Sequence, residues 1–91
     1  MSVTVRIPTP LRRMTNGVNR VEVDCASVRE CITKLEESFP GISAQIIDEL
    51  GEMHRFVIFY LNGEDVRFLQ GIDTAIQHGD EISIVPAVAG G

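Results

Sequence analysis

One stretch of this sequence carries helical periodicity long enough to bury a face, and it limits what the rest of the chain can do. Ser27-Val28-Arg29-Glu30 fits a capping box, in which the Ser oxygen accepts from a backbone N–H and the Glu side chain reaches back. Val28, Cys31, Ile32, Leu35 and Phe39 follow at three- and four-residue spacings and mark one apolar helical face. Pro40-Gly41 then stops the helix. A single amphipathic helix of this length must pack on something, and the flanking segments supply a sheet.

Upstream, Val3, Val5 and Ile7 alternate with Thr4 and Arg6, the pattern of a half-buried strand. Pro8 and Pro10 end it, and Thr15-Asn16-Gly17 signals a turn. Val21 and Val23, alternating with Arg20, Glu22 and Asp24, make a second strand that pairs with the first as a hairpin with a long connection. Downstream of the helix, Ile42, Ile46, Ile47 and Leu50 predict a helical turn or two before Gly51. Arg55 to Leu61 is β-branched and aromatic, and Asn62-Gly63 after it is a strong hairpin signal. Val66-Arg67-Phe68 reads as a short strand, and Gly71 to Gly79 as a connection with a helical turn around Thr74 to Ile76. Glu81 to Val85 is a last strand, with Ile82 and Ile84 on one face, stopped by Pro86. First and last strands can pair in parallel at the centre, because the right-handed crossover through the helix permits it. The expected fold is therefore α+β, a β-grasp or ubiquitin-like arrangement of four to five strands packed on one main helix.

Length and charge narrow the function. Ninety-one residues make one domain, and the apolar fraction of 44% belongs to a globular chain. The aromatics are Phe39, Phe56, Phe59, Phe68 and Tyr60, so Val, Ile and Leu must fill most of the core. A net charge of −5, with Arg12-Arg13 as the only basic doublet, argues against nucleic-acid binding. No basic leader with an apolar run opens the chain, and the apolar run from Phe56 to Leu61 is too short to span a bilayer. A cytoplasmic protein with no membrane partner is expected. Cys25 and Cys31 lack metal-site spacing, and His54 and His78 stand apart from other ligands, so no metal is expected. Cys25 near a helix start is either a thiol of lowered pKa or, more commonly, a buried inert one. Asp73, Asp80 and Glu81 mimic paired carboxylates, but turn chemistry and strand entry explain Asp80. Neither a nucleophilic triad nor a phosphate-binding loop is present.

The end of the chain is the remaining chemical signal. After Pro86 come Ala87-Val88-Ala89-Gly90-Gly91, with Val88 the only large side chain. Residues 1–86 read as the β-grasp domain and 87–91 as a flexible Gly-Gly tail. Gly lacks a Cβ and allows close approach, so such a tail could carry its carboxylate into a narrow active site. The strand order, together with His78-Gly79-Asp80-Glu81-Ile82-Ser83-Ile84-Val85-Pro86 running into that tail, resembles the prokaryotic ubiquitin-like sulfur carriers. That family includes the small subunit of molybdopterin synthase (MoaD), the thiamine sulfur carrier (ThiS) and the cysteine-synthesis carrier (CysO). The long first connection, His54-Arg55-Phe56-Val57 and Asn62-Gly63-Glu64-Asp65-Val66-Arg67-Phe68 look closest to the cysteine branch.

The resemblance implies a carrier rather than an enzyme. A partner, an E1-like adenylating and sulfur-transferring enzyme, would use ATP to activate the Gly91 carboxylate, and a sulfur donor would convert it to a thiocarboxylate. Val88, Ala89, Gly90 and Gly91 would thread that partner's active site. In the cysteine branch the acceptor is a cysteine synthase-type enzyme containing pyridoxal phosphate, and a metalloprotease releases the product. Cofactors would thus belong to partners. The family pattern places Val57, Phe59 and Leu61 against the helix, which turns Phe56, Ile58 and Tyr60 outward beside Val85. Those four could form a partner-docking patch, or the long loop or second helix could cover them. Rival functions remain: the molybdopterin or thiamine branch, a protein modifier joined to lysines through Gly91, and a β-grasp docking domain with an inert tail.

Overall fold

A computed structural model describes residues 2–54 and 57–86. Its sheet has the order β2-β1-β5-β3-β4, from strands β1 (Val3–Arg6), β2 (Arg20–Val23), β3 (Val57–Leu61), β4 (Glu64–Asp65) and β5 (Glu81–Pro86). Helix α1 runs from Val28 to Ser38, and one further helical turn, α2, from Ser43 to Ile46. β1 is antiparallel to β2, with Val3 opposite Val23 and Val5 opposite Val21. At the centre β1 and β5 run parallel, with Val5 opposite Ile82. β5 is antiparallel to β3 and places Ile84 opposite Phe59. This is the β-grasp that the strand order implies.

The core lies between the sheet and α1. Period-2 alternation sends Val3 and Val5 of β1, Val23 of β2, Phe59 of β3 and Ile82 and Ile84 of β5 inward, where they meet Val28, Cys31, Ile32 and Leu35 of α1. All of these are buried. Fully burying each large aliphatic or aromatic side chain contributes about 1.5–3 kcal/mol. Among the described residues Phe59 is the one aromatic with no exposed surface, so Val, Ile and Leu do fill most of the core.

The ends of α1 show why it sits where it does. Ser27 Oγ accepts from Glu30 N at 3.1 Å, while Glu30 Oε1 accepts from Ala26 N at 2.7 Å, one residue before the position the capping box uses. At the far end, the Glu36 carboxylate accepts from Gly41 N at 2.9 Å and Ser43 N at 2.9 Å, fastening the turn into α2. Gly41 has φ +101°, and a Cβ there would come within 3.1 Å of Met14 Cε.

Four local expectations need correction. The segment Val66–Phe68 is a 3-10 helix, not a strand, and the pairing is confined to Glu64–Asp65. Asp65 Oδ1 accepts from Arg67 N at 2.9 Å, which caps a helical turn and ends the ladder. The apolar set after α1 does form the expected helical turn, α2, but Leu50 stands outside it and is 83% exposed. Asp48 Oδ1 accepts from both Leu50 N and Glu52 N and turns the chain back there, with Gly51 at φ +80°. The helical turn expected around Thr74 to Ile76 falls earlier, at Gly71–Asp73, where Thr74 Oγ1 donates to Gly71 O at 2.7 Å and closes it. The first connection, expected as a loop, contains the 3-10 helix Thr9–Met14. Its end is held by buried Thr15, whose Oγ1 donates to Val18 O at 2.7 Å.

Candidate docking face and tail exit

The site is built on β3 and β5. The turn at Asn62-Gly63, both with positive φ (51° and 88°), fixes the end of β3. Asn62 Oδ1 then accepts from Glu81 N at 2.9 Å, and its Nδ2 donates to Asp80 Oδ1 at 3.1 Å. Asp80 Oδ2 accepts in turn from Gln77 N at 2.8 Å. The carboxylate is thus consumed by turn and strand entry, and these bonds lock the start of β5 to the end of β3.

With the register locked, facing follows. Phe59 is buried, and Val57 and Leu61 pack against the core. Ile58 and Tyr60 point the other way and are half-buried, and Val85 is exposed. Ile58 stands directly opposite Val85, and Tyr60 opposite Ser83, so three of the four proposed docking residues share one face of two adjacent strands. The fourth, Phe56, lies outside the described residues, as do Val88, Ala89, Gly90 and Gly91 of the tail. β5 ends at Pro86, opposite Val57. On the inward side of that exit a cleft of about 270 Å³ is lined by Pro8, Pro10, Leu11, Gln45, His54, Val57, Ile84 and Pro86.

Other candidates resolve structurally. Cys25 and Cys31 are both buried and unbridged. The Cys31 thiol is pushed up, first by its hydrogen bond to Cys25 and then by burial. The same hydrogen bond holds the Cys25 thiol below its ordinary value, while both sulfurs are shut away from solvent. His78 Nδ1 accepts from Ser2 N at 3.0 Å, and His54 borders the cleft. Asp73 pairs with Arg29 at 3.0 Å on the surface. Among the described residues, no cluster of three or more His, Cys, Asp or Glu is placed to hold a metal, and no helix is long and apolar enough to cross a membrane. The roles of Glu36 and Asp48, whose carboxylates fasten turns, had no signal in the spacing of apolar residues. An Asp two residues before a backbone donor was the clue for Asp48.

The sequence profile of the ThiS family matches residues 5–91. The chain belongs to the ThiS family. It is 47% identical over 93 residues to the sulfur carrier protein CysO of Mycobacterium tuberculosis, with both chains covered in full. In the crystal structure of an Amycolatopsis orientalis BexX/CysO complex, a similar chain is 46% identical, with a TM-score of 0.92 over 98% of this chain and 99% of that one. A Haloferax volcanii protein named small archaeal modifier protein 3 is 37% identical over 68 residues, 75% of this chain and 73% of its own. ThiS-family membership agrees with the β-grasp and extends through residue 91, the terminal glycine.

Proposed function

We propose that this protein is a sulfur carrier whose working group is the Gly91 carboxylate. The observation that carries the reading is a family match that runs through Gly90 and Gly91, on a domain whose last strand ends at Pro86. A carboxylate is a poor electrophile, because oxide is a poor leaving group. In the proposed cycle a carboxylate oxygen of Gly91 attacks the α-phosphorus of ATP in a partner's site, releasing pyrophosphate and forming an acyl-adenylate. A sulfur nucleophile then attacks the carbonyl carbon and displaces AMP, leaving a thiocarboxylate for an acceptor. Gly90 and Gly91 leave that carbonyl unhindered, and Val88 and Ala89 complete the segment that enters the partner.

The chain is then a substrate of other proteins, not a catalyst, and acts in the cytoplasm. The cysteine branch is the proposed pathway, supported by the identity to CysO along the whole chain. Its acceptor is a pyridoxal phosphate-containing cysteine synthase-type enzyme, followed by a metalloprotease that frees the product. Ile58, Tyr60 and Val85, with Phe56, are proposed as the face that docks on the adenylating enzyme. Val85 is exposed, and Ile58 and Tyr60 are half-buried on the same face of a locked register, which supports this role. A second reading, attachment through Gly91 to lysines of other proteins, is favoured by the similarity to the archaeal modifier.

Deleting Gly91 tests both activated-tail readings. The variant should keep the wild-type circular dichroism spectrum and melting temperature and lose all ATP-dependent pyrophosphate release with its partner. Undiminished release would show that the terminus is inert. A ladder of lysine-linked products in cells would favour the modifier.

A further inference from the structure

Lys and Arg number 8 in this chain against 13 Asp and Glu, yet the fold gathers three of the arginines around one depression. Arg6, Ile7, Arg12, Asn19 and Arg20 line it. Arg6 and Arg20 are direct cross-strand partners at the end of the β1–β2 ladder. Like charges in that position disfavour the pairing. Neither is well neutralised: Arg6 reaches Glu81 only at 4.0 Å, and the Arg20 guanidinium has no partner among the described residues. Arg12 folds back on the strand end, its Nε donating to Ile7 O at 3.1 Å. That bond uses one of five guanidinium donors and fixes the plane of the rest. Ile7 N donates to Asn19 O at 2.9 Å, so the floor of the depression is itself pinned. The basic doublet Arg12-Arg13 is unremarkable in the sequence. The fold adds Arg6 and Arg20 to its first member.

The cluster's position suggests what it is for. Arg6 stands opposite Ser83 on β5, and Ser83 stands opposite Tyr60 on β3. Arg6 therefore shares the outward face with Ile58, Tyr60 and Val85, toward the end of the sheet where β5 gives way to the tail. Three cations are too few for a phosphate-backbone footprint in an acidic chain. They suit a short run of carboxylates, which Arg binds in paired, planar geometry.

We infer that Arg6, Arg12 and Arg20 form an oxyanion site for the carboxylates of an acidic segment on a protein partner, flanking the apolar docking face. The choice of a protein as ligand rests on the carrier reading above; the affinity of the cluster for carboxylate does not. Charges at the rim of such a face set encounter rate and register, and their effect weakens with salt.

The test is a titration of the full-length chain at low ionic strength, followed by NMR of backbone amides and arginine Nε–H groups. Hexaglutamate is the probe, with inorganic phosphate and sodium chloride at matched ionic strength as the other arms. Hexaglutamate should give saturable shifts at Arg6, Arg12, Asn19 and Arg20. Arg20→Glu should weaken that binding roughly tenfold or more. The same substitution replaces a like-charge pair with an opposite-charge one, so it should also raise the Tm. Removing Gly91 should leave the titration unchanged, which separates failure of this site from failure of the tail reading. Shifts that sodium chloride reproduces, tighter binding of phosphate than of hexaglutamate, or an Arg20→Glu variant that binds as well as wild type would each overturn the assignment.

Discussion

The two faces of β3 share a backbone and differ in what explains them. Phe59 points inward, opposite Ile84, and both are buried beneath α1. One residue earlier, Ile58 points outward opposite Val85, which is 38% exposed. The inward pair is accounted for by folding alone. The outward pair adds little to the core, so its apolar character calls for a reason outside the fold. Alternation along one strand thus separates residues that maintain the domain from residues proposed to meet a partner.

Substitutions on the two faces should therefore fail in different ways. Phe59→Ala should have the largest effect on stability, about 3–5 kcal/mol, from lost transfer energy and an unfilled cavity. Urea unfolding should show a lower midpoint with the slope preserved. A loss below about 1 kcal/mol would mean the inward face is not the core. Ile58→Asp should cost about 1 kcal/mol or less, mostly through strand propensity, while sharply weakening affinity for the adenylating partner. Calorimetry and a binding titration on one sample would separate the two. A variant that melts instead would show that Ile58 is structural and would collapse the contrast.

The smallest effect concerns the helix end that carries the inward face. Hydrogen bonds from Gly41 N, then Ser43 N, hold the Glu36 carboxyl below its ordinary range. A group with a depressed folded pKa contributes stability above its unfolded value, about 4.3, and loses it as pH falls through the folded value. Wild type should therefore lose stability progressively below about pH 5, and Glu36→Gln should show a shallower decline over that range. Parallel curves would mean that Glu36 does not fasten the turn.

Most of the architecture was legible because burial has a period. Alternating Val and Ile marked β1, β2 and β5, and three- and four-residue spacing marked α1, since each element has one face against the core. Asn62-Gly63 was legible for a different reason, its demand for positive φ. The misread segments are those where a side chain overrides periodicity. Asp65 turns Val66–Phe68 into a helical turn by capping it, and Asp48 ends the apolar set before Leu50 can join it. The outward facing of Ile58 and Tyr60 came from the family pattern, which placed Leu61 inward, and from parity along the strand. The gathering of Arg6, Arg12 and Arg20 was invisible, because it depends on which strands pair and on where a connection folds back.

The most direct test of the carrier reading is mass analysis of the C-terminal peptide. The protein would be incubated with its activating enzyme, ATP and a sulfur source, then treated with a thiocarboxylate-selective alkylating reagent. The reagent marks the sulfur itself, because in the intact chain replacing oxygen by sulfur adds nearly the same mass as one methionine oxidation at Met1, Met14 or Met53. The expected result is an ATP-dependent label on Gly91 that disappears when Gly91 is deleted. An unlabelled Gly91, under conditions in which a related carrier is labelled, would contradict the sulfur-carrier reading.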